Sequence, residues 1–250
     1  MKEKHQGSGI GETVRTVVYA VLIAFAIRTV AYEPFNIPSE SMLPTLLVGD
    51  YLFVSKFSYG YSRYSLPLSL PLIPGRIFYS TPKRGDVVVF KLPRDNSTDY
   101  IKRLVGLPGD RIQVRHGVLY INDQECKRQR IDDFIHHSRF GDVERIPQYL
   151  ETMPTGVQYH VLDIRANGDL DDTDVYTVPP GHFFMMGDNR DNSLDSRVSA
   201  DRGGVGFVPA ANLEGRADLL FFSTDGSAGW WQFWKWPGAM RFRRFFNVVH

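Results

Sequence analysis

Residues 14–32, VRTVVYAVLIAFAIRTVAY, constrain this chain more than any other segment. These 19 residues would extend about 28 Å as a helix, roughly the thickness of a bilayer's hydrocarbon core. Arg15 and Arg28 stand near the ends, where long side chains can reach polar surroundings. A cleaved targeting segment should close on small residues, but Tyr32-Glu-Pro-Phe35 follows here. A helix lying flat on a bilayer would keep one polar face, whereas apolar residues run round the whole circumference. The segment therefore reads as an uncleaved transmembrane anchor. Lys2, Lys4 and Arg15 precede it and Glu33 follows. The positive-inside rule then puts residues 1–13 in the cytoplasm as a tail and residues 33–250 on the outer side.

The outer portion is long enough to bury a core, and 43% apolar with 23% charged residues suits a folded domain. A net charge of +1 provides no global field for nucleic acid. Cys126 is the only cysteine, so no intrachain disulfide forms; its polar neighbours (Asp-Gln-Glu-Cys-Lys-Arg) argue against a nucleophile. The stretch 57–80 is rich in Tyr, Ser and Pro and reads as a loop. From residue 84 the pattern turns to short β-branched runs: 86–90, 100–105, and a hairpin of 111–115 with 118–121 around His116-Gly117. Residues 122–175 read as polar and irregular, and 183–186 as apolar again. No long helical period follows residue 33, so the outer domain is expected to be mainly β. Residues 221–250 hold all four tryptophans, six phenylalanines and several basic residues, a mixture that favours a membrane boundary over an aromatic core strand pair.

Three segments can carry chemistry. In Phe35-Asn-Ile-Pro-Ser-Glu-Ser41-Met-Leu-Pro-Thr45, Pro38 and Pro44 bracket Ser39 and Ser41. Each proline fixes its own φ and pushes its predecessor out of helix, which leaves backbone N–H groups free near a serine. Taken alone, it is equally a connecting loop. In Asp99-Tyr-Ile-Lys-Arg-Leu-Val-Gly-Leu-Pro-Gly-Asp110, a strand would set Tyr100, Lys102 and Leu104 on one face. Burial there lowers a lysine pKa toward the range useful in a general base, although an edge lysine reaching solvent has the same local sequence. Gly187-Asp-Asn-Arg-Asp-Asn-Ser-Leu-Asp-Ser-Arg197 is dense enough in polar groups to brace itself or simply to be a solvated turn.

In this order, the three segments resemble the motif boxes of bacterial type I signal (leader) peptidases, which are serine peptidases with a Ser-Lys dyad. The matching strings are PSESMLPT at 38–45, YIKRLVGLPGD at 100–110 and GDNRDNSLDSR at 187–197, with GDVVVF at 85–90. The resemblance covers about 40–56, 84–121 and 181–223, and leaves 57–80 as a variable insertion and about 122–178 as a variable β insertion. It implies an antiparallel β catalytic domain, Ser41 as nucleophile and Lys102 as general base. Ser39 and the Ser41 N–H would form the oxyanion hole. Ser193 would orient the lysine, and Asp195 with Arg197 would brace the site. Phe35, Ile37, Pro38, Met42, Tyr100 and Ile101 would line the substrate groove. Glu40 stands where many members carry a small residue. The implied activity is removal of signal peptides from exported preproteins after an Ala-x-Ala-like motif, near the secretion translocon. The implied place is the bacterial inner membrane, single-pass, with the catalytic domain periplasmic and no cofactor.

Other readings are weaker. Ser80-Thr-Pro-Lys83 spells the Ser-x-x-Lys of penicillin-binding enzymes, but Pro82 breaks the required helix and the companion motifs are missing. A self-cleaving repressor would carry a DNA-binding motif where this chain has its apolar helix. An inactive membrane scaffold would have no need of intact Ser41 and Lys102. For metals, neither Asp132-Asp133 with His136-His137 nor the acidic run 169–174 has a ligand spacing, so both are expected to be solvated loops.

Overall fold

The computed structural model describes residues 9–66, 69–137, 143–229 and 231–249. Helix α1 (Ile10–Val30) starts a few residues before the apolar run, is exposed along its length, and is long and apolar enough over Gly11–Val30 to cross a membrane. Most of the expected tail lies outside the described residues. The helix passes directly into strand β1 (Tyr32–Asn36), then β2 (Asp50–Ser55). The junction is tied down: Lys56 N–H donates to Ala31 O at 2.9 Å, Tyr61 OH to Val30 O at 2.6 Å, and Glu33 pairs with both Arg28 and buried Lys56.

The 57–80 stretch is mostly turns, with one short pair, β3 (Tyr61–Ser62) and β4 (Arg76–Ile77). The β-branched runs become β5 (Val87–Lys91), β6 (Asp99–Gly106), β7 (Arg111–Arg115) and β8 (Val118–Ile121); β5 and the second half of β6 are buried on both faces, whereas β7 and β8 alternate. There follow β9 (Gln124–Glu125), β10 (Lys127–His137), β11 (Val143–Thr152), β12 (Gln158–Leu162), β13 (Tyr176–Thr177), β14 (His182–Met186), β15 (Val208–Pro209) and β16 (Leu213–Ser223). Among the described residues the main sheet has seven antiparallel strands in the order β1-β2-β16-β5-β6-β14-β15. A second sheet runs β13-β7-β8-β9 and a third β10-β11-β12. The domain is mainly antiparallel β.

The expectation of an irregular 122–175 is wrong. Its strands were hidden because both faces of much of β10 and β11 are polar, so no period of two shows. The segment also contributes to the core: Cys126, Met153, Tyr159 and Val161 pack with Ile112, Leu119 and Phe184. Burial pushes the Cys126 thiol up to about 12, far from a reactive thiolate. The aromatic C-terminal stretch is not a core strand pair. It runs as short turns and a single-turn helix α2 (Trp236–Ala239) and bonds to the backbone of β16 (Leu220 N–H to Asn247 O, Phe246 N–H to Leu220 O, Val249 N–H to Asp218 O), leaving Trp231, Phe233, Trp234, Phe242 and Phe246 exposed. Trp230 lies outside the described residues.

Candidate active site

The loop between β1 and β2 carries Ser41. Its base is closed by Ile37 N–H to Asp50 O at 2.9 Å and Gly49 N–H to Ile37 O at 3.0 Å. Gly49 has φ +88° and approaches the Thr224 carbonyl so closely that a Cβ would collide with it, hence glycine. Met42, Leu46 and Ile37 point down into a core with Leu52, Val54, Val87 and Val89. Anchored from beneath, the Ser41–Thr45 turn holds its hydroxyl at the sheet surface. The Ser41 N–H donates no hydrogen bond among the described residues.

Lys102 reaches this turn from β6. Its Nζ lies 2.7 Å from Ser41 Oγ and 2.9 Å from the Ile101 carbonyl. Lys102 is 3% exposed and Ser41 8%. Burial pushes the lysine amine down to about 8, against the opposing pull of the Asp195 and Asp188 charges. Ser39 Oγ stands 3.4 Å from Ser41 Oγ on the open side. The strand beside β6 ends its pairing at Met186↔Arg103, so Asp99–Lys102 has a free edge on that side. A cleft of about 520 Å³ follows it, lined by Phe35, Ile37, Pro38, Ser39, Glu40, Ser41, Tyr100, Ile101, Lys102 and Leu194, among others.

The 187–197 loop packs behind the pair. Gly187 has no room for a Cβ, which would strike Ser193 Oγ and the Ser41 carbonyl. Asp195 accepts from Gly187 N–H at 3.0 Å and from Arg197 Nε and Nη2, both at 2.9 Å. Burial alone would raise this carboxyl, but Arg197 and the N–H donors hold it below its ordinary value. Two expected placements differ. Met42 is wholly buried in the core instead of lining the cleft, because the turn directs it under the sheet. Ser193 Oγ, expected to bond the lysine, is buried with no hydrogen-bond partner among the described residues, while Lys102 is bonded to Ser41 and Ile101.

Several supporting groups find their partners only in the fold. Arg103, fully buried, makes a two-pronged pair with Asp188 at 2.8 and 2.7 Å, and Asp188 also accepts from Thr45 Oγ1 at 2.5 Å. Arg190 pairs with buried Glu151 of β11, which also accepts from Tyr159 OH. Glu40 contacts His136 of β10 at 3.4 Å and Asn192 at 3.3 Å. The side chain of His137 lies outside the described residues. Away from the cleft, carboxylate oxygens of Asp163, Asp171 and Asp191 lie within 4.8 Å of one another, and burial raises the Asp171 pKa.

The model of the family described as "Signal peptidase, peptidase S26" matches residues 10–222. A signal peptidase I of Rickettsia typhi is 42% identical over 221 residues, covering 85% of this chain and 80% of that protein. A signal peptidase I of Rickettsia canadensis is 41% identical over 225 residues, covering 87% and 81%. A crystal structure of a signal peptidase I from Enterococcus faecalis aligns with 55% of this chain and 97% of its own, at 27% identity and a TM-score of 0.32. A family match that starts in the apolar helix and runs through the Ser41 turn, the Lys102 strand and the 187–197 loop makes this chain a member of the signal peptidase, peptidase S26 family.

Proposed function

We propose that the chain is a membrane-bound endopeptidase that removes signal peptides from exported preproteins, with Ser41 as nucleophile and Lys102 as general base. The observation that carries this is the 2.7 Å approach of Lys102 Nζ to Ser41 Oγ inside a buried pocket that lowers the lysine pKa. Neutral Lys102 accepts the Ser41 proton as Oγ attacks the scissile carbonyl. Ser39 Oγ and the unused Ser41 N–H donate to the oxyanion, at roughly 3–4 kcal/mol for a good donor. The Lys102 ammonium then gives its proton to the leaving amine as the C–N bond breaks. Neutral Lys102 next takes a proton from water, whose oxygen attacks the acyl ester, and Ser41 Oγ leaves with that proton. Asp195 with Arg197 braces the loop behind the pair, and Ser193 fills the space beside Gly187.

The substrate lies extended against the free edge of Asp99–Lys102. Alternate side chains of an extended peptide point the same way, so the shallow walls of Phe35, Ile37, Tyr100 and Ile101 read positions one and three before the cut, favouring Ala-x-Ala. Helix α1 anchors the domain with residues before it cytoplasmic and the catalytic portion periplasmic, close to emerging preproteins. The exposed aromatic C-terminal stretch rests on the lipid surface.

The test is cleavage of a preprotein whose signal ends in Ala-x-Ala, by the intact protein, Ser41→Ala and Lys102→Ala in detergent. The intact protein should cut after the second Ala, and each folded variant should lose activity by about a thousandfold or more. Equal cutting by all three would refute the dyad.

A further inference from the structure

The C-terminal stretch does more than bond to the backbone of β16. It lies beyond residue 222, where the family match ends. Two of its arginines nevertheless reach the turn that carries Ser41. Arg244 grips Asp50 with Nε to Oδ1 at 3.0 Å and Nη2 to Oδ2 at 2.6 Å, and the same Nη2 donates to the Thr45 carbonyl at 2.9 Å. Arg241 donates to the Val48 carbonyl at 2.9 Å. Asp50 also accepts from Leu47 N–H and from Ser223 Oγ, both at 2.7 Å.

Ion pairs on a protein surface usually contribute little. This one differs, because the Asp50 side chain is 0% exposed and that of Arg244 21%, and the two-pronged geometry fixes direction as well as distance. Thr45 is the meeting point. Its hydroxyl is held by Asp188, which holds Arg103, the strand neighbour of Lys102. Its carbonyl is held by Arg244. Between Ser41 and Thr45 the turn has little slack, since Leu46 N–H bonds Met42 O at 2.9 Å and Asn189 N–H bonds Ser41 O at 3.1 Å. A displacement at Thr45 is therefore passed to Ser41, while Lys102 stays fixed on β6.

Resting on the reading of Ser41 as nucleophile, we propose that Arg244, with Arg241 beside it, is a positioning residue for the peptidase reaction. It sets the approach of Ser41 Oγ to Lys102 Nζ from a segment outside the family match. The groove walls are built from other residues, so substrate affinity does not depend on it.

The experiment compares full-length protein, Ser41→Ala, Arg244→Ala, Arg244→Lys and Arg243→Ala on one preprotein in detergent, with kcat and KM separated. A misplacement of the order of an ångström lowers turnover about a hundredfold. Arg244→Ala is expected to lose about 10- to 100-fold in kcat with KM within about twofold, Arg244→Lys to recover part of it, and Arg243→Ala, whose side chain is exposed, to match wild type. Wild-type kcat in folded Arg244→Ala overturns the assignment. So does a rise in KM matching the fall in kcat, with no recovery in Arg244→Lys. Should Arg244→Ala not fold, Arg244→Lys decides: a severalfold fall in kcat at constant KM supports the assignment, and wild-type kcat overturns it. Cutting by Ser41→Ala would instead sink the nucleophile reading, so the two failures are distinguishable.

Discussion

Burying the Lys102 amine trades charge for reactivity. At an ordinary pKa near 10.4, about one lysine in a few thousand is neutral at pH 7. At about 8, roughly a tenth is. Only the neutral amine can accept the serine proton, and its fraction rises as pH rises through the lowered pKa. We therefore expect kcat/KM to climb about tenfold per pH unit from pH 6, to bend near pH 8 and to level above it, since this ratio reports the free enzyme. A profile flat from pH 6 to 9, measured by initial rates on a soluble peptide, would exclude Lys102 as the base. The sequence alone singles out Ser41 and Lys102 because their flanking strings are long and specific. It does not single out Arg103, Asp188 or Glu151. In a string, those charges look like solvated surface; only the fold pairs residues 85 apart, as in Arg103 and Asp188.

At the scale of elements, what holds the site is a set of buried ion pairs joining segments distant in sequence. The 187–197 loop is pinned to β6 through Asp188–Arg103 and to β11 through Arg190–Glu151. Breaking a buried ion pair by removing one member costs about 3–5 kcal/mol. Asp188→Ala should accordingly lower the midpoint of thermal unfolding by several degrees and reduce activity, and Asp188→Asn should do less harm. An unchanged midpoint in a calorimetric scan would show that Arg103 finds another partner. The same pairs explain which elements were legible. Strand β5 carries a continuous apolar run and β6 shorter ones, β7 and β8 alternate, and all four announce themselves. Strands β10 and β11 run through Lys-Arg-Gln-Arg-Ile-Asp-Asp and Val-Glu-Arg-Ile-Pro, with their buried contacts far apart, so local pattern could not reveal them.

The whole molecule joins an apolar helix to a β domain whose outer face is aromatic near the junction. Tyr32, Phe53 and Phe221 on β1, β2 and β16, with Phe57 in the turn after β2, form a run of ring contacts, which continues through Tyr51, Phe222 and Phe245 to exposed Phe242. All four tryptophans fall within residues 230–236, so tryptophan emission reports this stretch alone. In bilayers containing brominated lipid, the full-length protein should show strongly quenched emission relative to ordinary lipid. Equal emission in both would place the stretch away from the bilayer. The free edge of β6 has a consequence of another kind. Four residues unpaired on that edge, Asp99–Lys102, give room for about 13 Å of extended chain, hence roughly four partner side chains. So short a word recurs by chance in almost any polypeptide, and spelling alone cannot protect the wrong proteins. On the proposed reading of this edge as the substrate groove, discrimination comes from address and timing: which strands are unfolded, and how close to the bilayer they are when they pass.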